Sequence, residues 1–177
     1  MEKRLKDILI RYLLLVLIAL PGLGLFYLVF SPLTVYPVFG LFDLFFDPVF
    51  CESCGLNTIL INGAQLEIIG SCIAGSAYLF LLILNLTTPG IKLSRRLKMI
   101  GSGFLIFLFA NILRIFGMGL MYLGGSVWFD FAHEFIWYVG TTIFVILIWF
   151  FQVRHFKVKG IPIYSDIKYL YSGTKRN

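Results

Sequence analysis

The chain has 177 residues, of which 59% are hydrophobic, 18% aromatic and 14% charged, and its mean hydropathy is +0.91. Soluble domains carry about 25% charged residues, so this composition excludes a soluble globule. The dominance of apolar residues also excludes a disordered chain. The sequence therefore predicts one integral membrane domain over residues 1–177, built as an all-α transmembrane bundle.

Four stretches contain the roughly 20 apolar residues that a helix needs to cross a bilayer. They lie at about 8–30, 71–88, 99–122 and 131–153. A fifth apolar stretch, 33–50, contains or borders three prolines and two aspartates. We interpret this stretch as lying in the membrane interface rather than crossing the membrane.

The charge of +6 at pH 7 comes from 15 Lys and Arg against 9 Asp and Glu. All but one of these cations precede or open the first span, lie between 92 and 98, or follow the fourth span, and segments 31–70 and 123–130 contain none. The positive-inside rule then predicts cytoplasmic termini, with a basic tail over 154–177, in a multi-pass protein of the cell membrane. The positions of these charges therefore indicate the topology of the protein, and we expect no nucleic acid partner.

The outer segment 31–70 is too long for a structureless loop. Asn62-Gly63 separates two runs rich in β-branched and aliphatic residues, 58–61 and 64–69. Asn-Gly in this position is a strong β-hairpin signal. We expect a small extracellular β-hairpin that leads directly into the second span.

The remaining cation, Arg114, lies inside the third span, about 22 Å above Met99 at 1.5 Å per residue. An intramembrane arginine costs at least about 2.5–3.5 kcal/mol on insertion scales and needs a partner or a function. Asn111, on a nearby face one turn below, can share its hydrogen bonds.

Two reactive side chains are predicted at the same level, because Cys72 opens the second span and His133 opens the fourth at their outer ends. A thiolate nucleophile is favoured by a nearby cation. A histidine can transfer the proton, and a guanidinium can hold the thiolate or an oxyanion. These residues predict a Cys-His site with Arg114 as its electrostatic partner.

Each residue also has a structural interpretation. A single cysteine beside a span is often an inert small hydrophobe, and an interfacial histidine is often only solvated. Arg114 is neutralised in this alternative by an ion pair with an acidic residue near the outer surface: Glu67, Asp130 or Glu134.

Three short islands in order resemble the exosortase/archaeosortase family of membrane transpeptidases. They are residues 67–75, which contain Cys72, then Asn111-Ile112-Leu113-Arg114, and then His133. The resemblance covers about 57–153 and is similar to the small archaeal, core-only branch. The sequence has Cys72-Ile73-Ala74-Gly75 where the family more usually has Cys-Ser-Gly.

The resemblance implies a cysteine transpeptidase or peptidase that needs no cofactor. Its substrates would be exported proteins with a C-terminal motif, a transmembrane helix and a basic tail. Cys72 would form a thioester acyl-enzyme, His133 would act as acid and base, and Arg114 would stabilise negative charge. Asn111 and Glu134 would support them, and a lipid or cell-envelope amine would accept the product at the extracellular side.

Two alternatives stay open at this stage. Cys51 and Cys54 lie in the outer segment, where an oxidising compartment favours a structural disulfide. The same pair is compatible with a disulfide-generating membrane oxidoreductase, although such relays usually need a second cysteine pair. No metal site is predicted, since His155 is expected at the opposite side. The second alternative is a non-enzymatic helical membrane protein.

Overall fold

The computed structural model describes residues 23–51, 54, 57–88 and 90–158, together with 6, 9–10, 12–14 and 16–17, which are helical. The elements after residue 22 follow in chain order: α1 (Gly24–Asp43), β1 (Val49–Phe50), β2 (Thr58–Ile61), β3 (Ala64–Glu67), α2 (Gly70–Ile73), α3 (Gly75–Thr87), α4 (Leu93–Leu123), α5 (Phe129–Phe135), a π-helical turn (Ile136–Gly140) and α6 (Thr141–His155).

Four helical segments are long and apolar enough to cross a membrane: Gly24–Asp43, Gly70–Thr87, Leu93–Leu123 and Phe129–His155. The second joins α2 and α3, and the fourth joins α5, the π-helical turn and α6. The prediction of a mostly helical protein with four such segments is confirmed, and the last three lie close to their predicted positions.

The structure has one helix across the boundary between the predicted first span and the predicted interfacial stretch 33–50. The helix runs to Asp43, so most of that stretch belongs to α1, with Pro32 and Pro37 inside it. Proline removes a backbone donor, but neighbouring helices and local adjustment satisfy the freed groups within a bundle. Parts of two predicted segments lie outside the described residues: 8, 11, 15 and 18–22 of the first span, and 159–177 of the basic tail.

An aromatic cluster joins α1, α3 and α4 in the core. Phe30 of α1 stacks on Tyr78 of α3, with ring centroids 3.6 Å apart. Phe107 of α4 meets the same Tyr78 ring edge-on at 4.8 Å. Such contacts stabilise by about 0.5–1.5 kcal/mol each beyond the area they bury, and they fix the second span against both neighbours.

The predicted β-hairpin is confirmed. β2 and β3 are antiparallel, and Ile61 pairs with Ala64 across the turn. Asn62 and Gly63 both have positive φ, 50° and 81°, as a type I′ turn requires. A third strand, which the sequence analysis did not predict, pairs with β2 on its other side, so the sheet order is β1-β2-β3.

The helices alternate in direction, so the bundle has two distinct ends. We call the end that carries β1–β3 and residues 124–128 the sheet end. We call the other end, with residues 88, 90–92 and 156–158, the basic end. The described cations outside the spans' interior, apart from residue 6, lie at or near the basic end: Lys92, Arg95, Arg96, Lys98, Arg154 and Lys157.

Candidate active site at the sheet end

The segment that carries Cys72 is a helix interrupted after one turn. α2 ends at Ala74, which has φ 58° and ψ 44°, and α3 begins at Gly75. The left-handed conformation costs a non-glycine residue about 1–2 kcal/mol, so surrounding contacts must hold it. The interruption separates the turn with Cys72 from the rest of the second span.

One of these contacts comes from Tyr27 of α1. A Cβ atom on Gly75 would lie 3.0 Å from Tyr27 Cε1, and one on Gly70 would lie 3.5 Å from the same atom. The absence of side chains at these two positions therefore lets the aromatic ring pack closely against both sides of the interruption. α1 thereby supports the Cys72 turn without lining the cavity described below.

The Asn111-x-x-Arg114 pair of α4 holds the same turn through the Cys72 carbonyl. Where a helix is interrupted, its last carbonyls lose their intrahelical donors. Asn111 Nδ2 donates to the Cys72 oxygen at 2.9 Å, and Arg114 Nη2 donates to it at 3.4 Å. Asn111 is buried, and its Oδ1 has no hydrogen-bond partner within the described part of the chain.

Arg114 is positioned from its other side by the π-helical turn. The wider turn lets the Ile136 carbonyl accept both the backbone N–H and the hydroxyl of Thr141. Arg114 Nη1 donates to the Thr141 hydroxyl oxygen at 3.0 Å. Both hydrogen-bonded partners of Arg114 are therefore neutral oxygens, which differs from the ion pair of the structural interpretation.

Cys72, Arg114 and His133 line one cavity of about 140 Å³. Cys72 is a free cysteine and is half-buried. His133 is exposed and stacks its ring on Phe129, with centroids 5.6 Å apart. The rest of the wall comes from β3, its exit, α4 and α5: Leu66, Glu67, Ile68, Ile69, Ile115, Met118, Gly119 and Phe129.

A second cavity, of about 260 Å³, lies against Arg114 as well. Its wall includes Asn111 and Thr141, and the remainder is apolar or glycine: Phe107, Ala110, Ile136, Gly140 and Phe144. Arg114 therefore borders both the cavity that contains the thiol and a second cavity between α4 and the fourth span. A cation in this position acts through a low dielectric and is screened little by water.

Other predicted residues are not brought to the thiol. Glu134 is exposed on α5, outside the wall that the described residues form. Cys51 and Cys54 form a disulfide beside β1, also outside that wall. Among the described residues, no group of three His, Cys, Asp or Glu side chains is able to hold a metal ion.

Sequence reasoning missed three contributors to this site. The left-handed Ala74 has no local signal, because alanine is the strongest helix former. Thr141 reaches Arg114 only through the π-helical turn. Glu67 was considered only as an ion-pair partner, but it lines the cavity that Arg114 also lines.

Comparisons with protein-family models, curated proteins and solved structures find no match to this chain. The likeness to exosortases and archaeosortases therefore rests on the three sequence islands.

Proposed function

We propose that the protein is a membrane cysteine transpeptidase that processes C-terminal sorting signals of exported proteins. One observation carries the proposal: the free thiol of Cys72 shares a cavity with Arg114 and His133. A nucleophile, a proton carrier and a cation are the groups that acyl transfer through a thioester requires.

The first step of this reaction forms the acyl-enzyme. His133 accepts the Cys72 proton, and the sulfur attacks the carbonyl carbon of the scissile peptide bond. The C–N bond then breaks, and the departing amine takes the proton from the imidazolium. Cys72 is left as a thioester of the upstream product, and the transmembrane tail leaves with a new N-terminal amine.

The second step transfers the acyl group. A lipid or cell-envelope amine attacks the thioester carbon, and His133 takes the proton from that amine. The C–S bond then breaks, and the departing sulfur takes the proton from the imidazolium and becomes the thiol again. The new amide bond replaces the thioester, and water in place of the amine gives hydrolysis.

Arg114 serves both steps as an electrostatic group. A guanidinium has five N–H donors, and two hydrogen bonds to Cys72 O and Thr141 Oγ1 leave donors for the thiolate or the oxyanion. The donors are fixed before the substrate arrives, which is the condition under which such stabilisation is effective.

The positive-inside rule gives the orientation of this proposal. The basic end faces the cytoplasm, and the sheet end with Cys72 faces the outside of the cell membrane. A substrate that is still anchored by its C-terminal helix then presents its scissile bond at the level of the cavity.

The test is the processing of a reporter that carries a C-terminal apolar helix and basic cluster taken from an exported protein of the same genome. Cys72→Ala should abolish the mobility shift that accompanies loss of the tail. His133→Gln should slow it about 100-fold or more, as expected for loss of general acid–base catalysis. Ser71→Ala is the matched control, since it removes a polar atom from the adjacent residue of the same turn.

Processing that survives Cys72→Ala contradicts the proposal. The redox alternative predicts a different pattern, in which Cys51→Ser removes a disulfide-forming activity and Cys72→Ala does not. Cys72 is the single cysteine left beside the Cys51–Cys54 disulfide, so this chain supplies no second pair for an electron relay.

A helical membrane protein without enzymatic activity is the second candidate. The observation that favours it is that every hydrogen bond of Asn111 and Arg114 described above supports the interrupted helix or the π-helical turn. In that case Arg114→Gln alters folding or assembly, and no unprocessed substrate accumulates.

A further inference from the structure

The strand that leads into Cys72 has an open side. β3 is the last strand of the sheet, and β2 is its sole strand partner in the described part of the chain. An edge strand presents a row of backbone N–H and C=O groups to any extended chain beside it. Such an edge next to a catalytic cavity is a place where a peptide substrate can be aligned.

The hydrogen-bond register identifies which groups point to the open side. Ile68 N–H donates to the Asn57 oxygen at 3.1 Å, and Ala64 pairs with Ile61 next to the turn. Antiparallel residues alternate between facing the partner strand and facing away from it. Gln65, Glu67 and the N–H of Ile69 therefore point away from β2.

The same edge continues into the wall of the cavity. Leu66, Glu67, Ile68 and Ile69 line it in succession, followed after one helical turn by Cys72. A substrate chain that runs alongside β3 towards the membrane reaches the level of the thiol about two residues beyond the residue opposite Ile68, at about 3.3 Å per residue.

We propose that β3 binds the substrate's recognition motif by strand addition, as a parallel fourth strand of the sheet. This inference rests on the proposed function, because a motif followed by a membrane helix must run towards the membrane, in the direction of β3. The occupant is an extended peptide, since the exposed groups at this edge alternate as backbone donors and acceptors.

The register of the added strand follows from parallel geometry. The substrate residue opposite Ala64 accepts from the Gln65 N–H. The residue opposite Leu66 donates its N–H to the Gln65 oxygen and accepts from the Glu67 N–H. The residue two positions further on, opposite Ile68, donates to the Glu67 oxygen and accepts from the Ile69 N–H. The residues between them make no backbone hydrogen bond to β3.

This alternation is tested with a heptaalanyl peptide that carries a chloroacetamide group on a C-terminal diamine and alkylates a thiol with loss of chloride. The rate of Cys72 modification is measured by mass spectrometry on the full-length protein in detergent, with chloroacetamide as the reagent that lacks a peptide. We expect the peptide to react at least about tenfold faster. N-methylation of the peptide nitrogens that donate to β3 should lower the rate of Cys72 modification about tenfold. N-methylation at the positions between them should change the rate by less than about twofold.

A variant of the protein gives the reciprocal test. Gln65→Pro removes an N–H that points away from β2, where proline is tolerated in an edge strand. It should lower the rate for the peptide reagent but not for chloroacetamide. Gln65→Ala keeps the N–H, and it should react like the unchanged protein with both reagents.

Uniform effects of N-methylation, or a peptide reagent no faster than chloroacetamide, overturn the strand addition. If Gln65→Pro leaves the rate for the peptide reagent unchanged and the protein forms dimers that depend on β3, substrate strand addition is overturned in favour of pairing between two copies of the chain. These results leave the proposed function standing if Cys72→Ala still abolishes processing. Processing that persists in Cys72→Ala overturns both proposals.

Discussion

Arg96 and Arg114 lie on the same helix, α4, and both are away from water, but they are held in opposite ways. Arg96 is 6% exposed and donates to three carbonyls at the end of the second span, those of Asn85, Leu86 and Thr88, at 2.6–2.9 Å. Arg114 is half-buried, makes two hydrogen bonds and borders two cavities.

The difference is consistent with a structural role for Arg96 and with the role in catalysis that we propose for Arg114. Arg96 satisfies the carbonyls that end α3 and complements the negative end of that helix. Nearby, Asn85 donates to Gln152 at 3.1 Å, and Gln152 donates to the Met99 carbonyl, so Arg96 lies beside a buried chain of side-chain hydrogen bonds. Arg114 keeps donors in a cavity that also contains a thiol, which is the arrangement expected where charge must be stabilised during a reaction.

The largest effect expected from this comparison is on folding at the basic end. Arg96→Gln leaves buried carbonyls without charged donors, and each such hydrogen bond contributes about 1.5–3 kcal/mol. We expect a loss of at least about 3 kcal/mol in unfolding free energy, measured by thermal unfolding in detergent. Arg114→Gln should cost less stability but abolish reporter processing.

Equal destabilisation by the two substitutions would instead place Arg114 among the structural residues. Arg96→Lys and Arg114→Lys provide the matched pair, because lysine keeps the charge but loses the planar fork of donors.

The next effect is on the positioning of Arg114. Thr141→Val removes the hydroxyl that accepts from Arg114 and preserves the side-chain shape, so processing should fall about tenfold with little change in stability. Thr141→Ser should restore it. Thr142→Val is the control, since within the described part of the chain this exposed neighbour donates only to the Tyr138 carbonyl of the π-helical turn, at 3.4 Å.

If all three threonine variants process the reporter equally, the hydrogen bond between Thr141 and Arg114 has no role in activity. A fall with Thr142→Val of the same size as with Thr141→Val would point to general damage to the fourth span.

The smallest effect concerns the interruption at Ala74. Ala74→Gly removes the penalty of the left-handed conformation but increases the entropy of the unfolded chain, so we expect a gain below about 1 kcal/mol. Ala77→Gly, inside α3 and buried, should instead destabilise by about 1 kcal/mol. Thermal unfolding compares the two, and a loss for Ala74→Gly would mean that the alanine methyl is needed for packing.

The sequence predicted the features that depend on local pattern. Asn62-Gly63 predicted the hairpin because few residues other than Asn and Gly adopt positive φ twice in succession. Counting residues along the apolar spans predicted that Cys72, Arg114 and His133 lie at the same depth in the bundle. The extent of α1 was not predicted, because prolines that would end a soluble helix, Pro32 and Pro37, are accommodated inside it.

The features that were missed depend on tertiary contacts. Arg96 belongs to a row of basic residues, and nothing in that row distinguishes the buried one from the exposed ones. The π-helical turn that brings Thr141 to Arg114 is compatible with an ordinary helical pattern. Ala74 leaves the helix because Tyr27, Asn111 and Arg114 hold the turn before it, and these residues lie on other helices.

The contact between Tyr27 and the two glycines makes the geometry of the thiol depend on a helix that does not line the cavity. α1 and the Cys72 turn meet without intervening side chains at positions 70 and 75. α1 also packs on α4, where Phe30 lies edge-on to Phe104 at 5.5 Å. α1 therefore contacts both the turn that carries the sulfur and the helix that carries the guanidinium, and a side chain added at position 70 or 75 would push the first away without displacing the second.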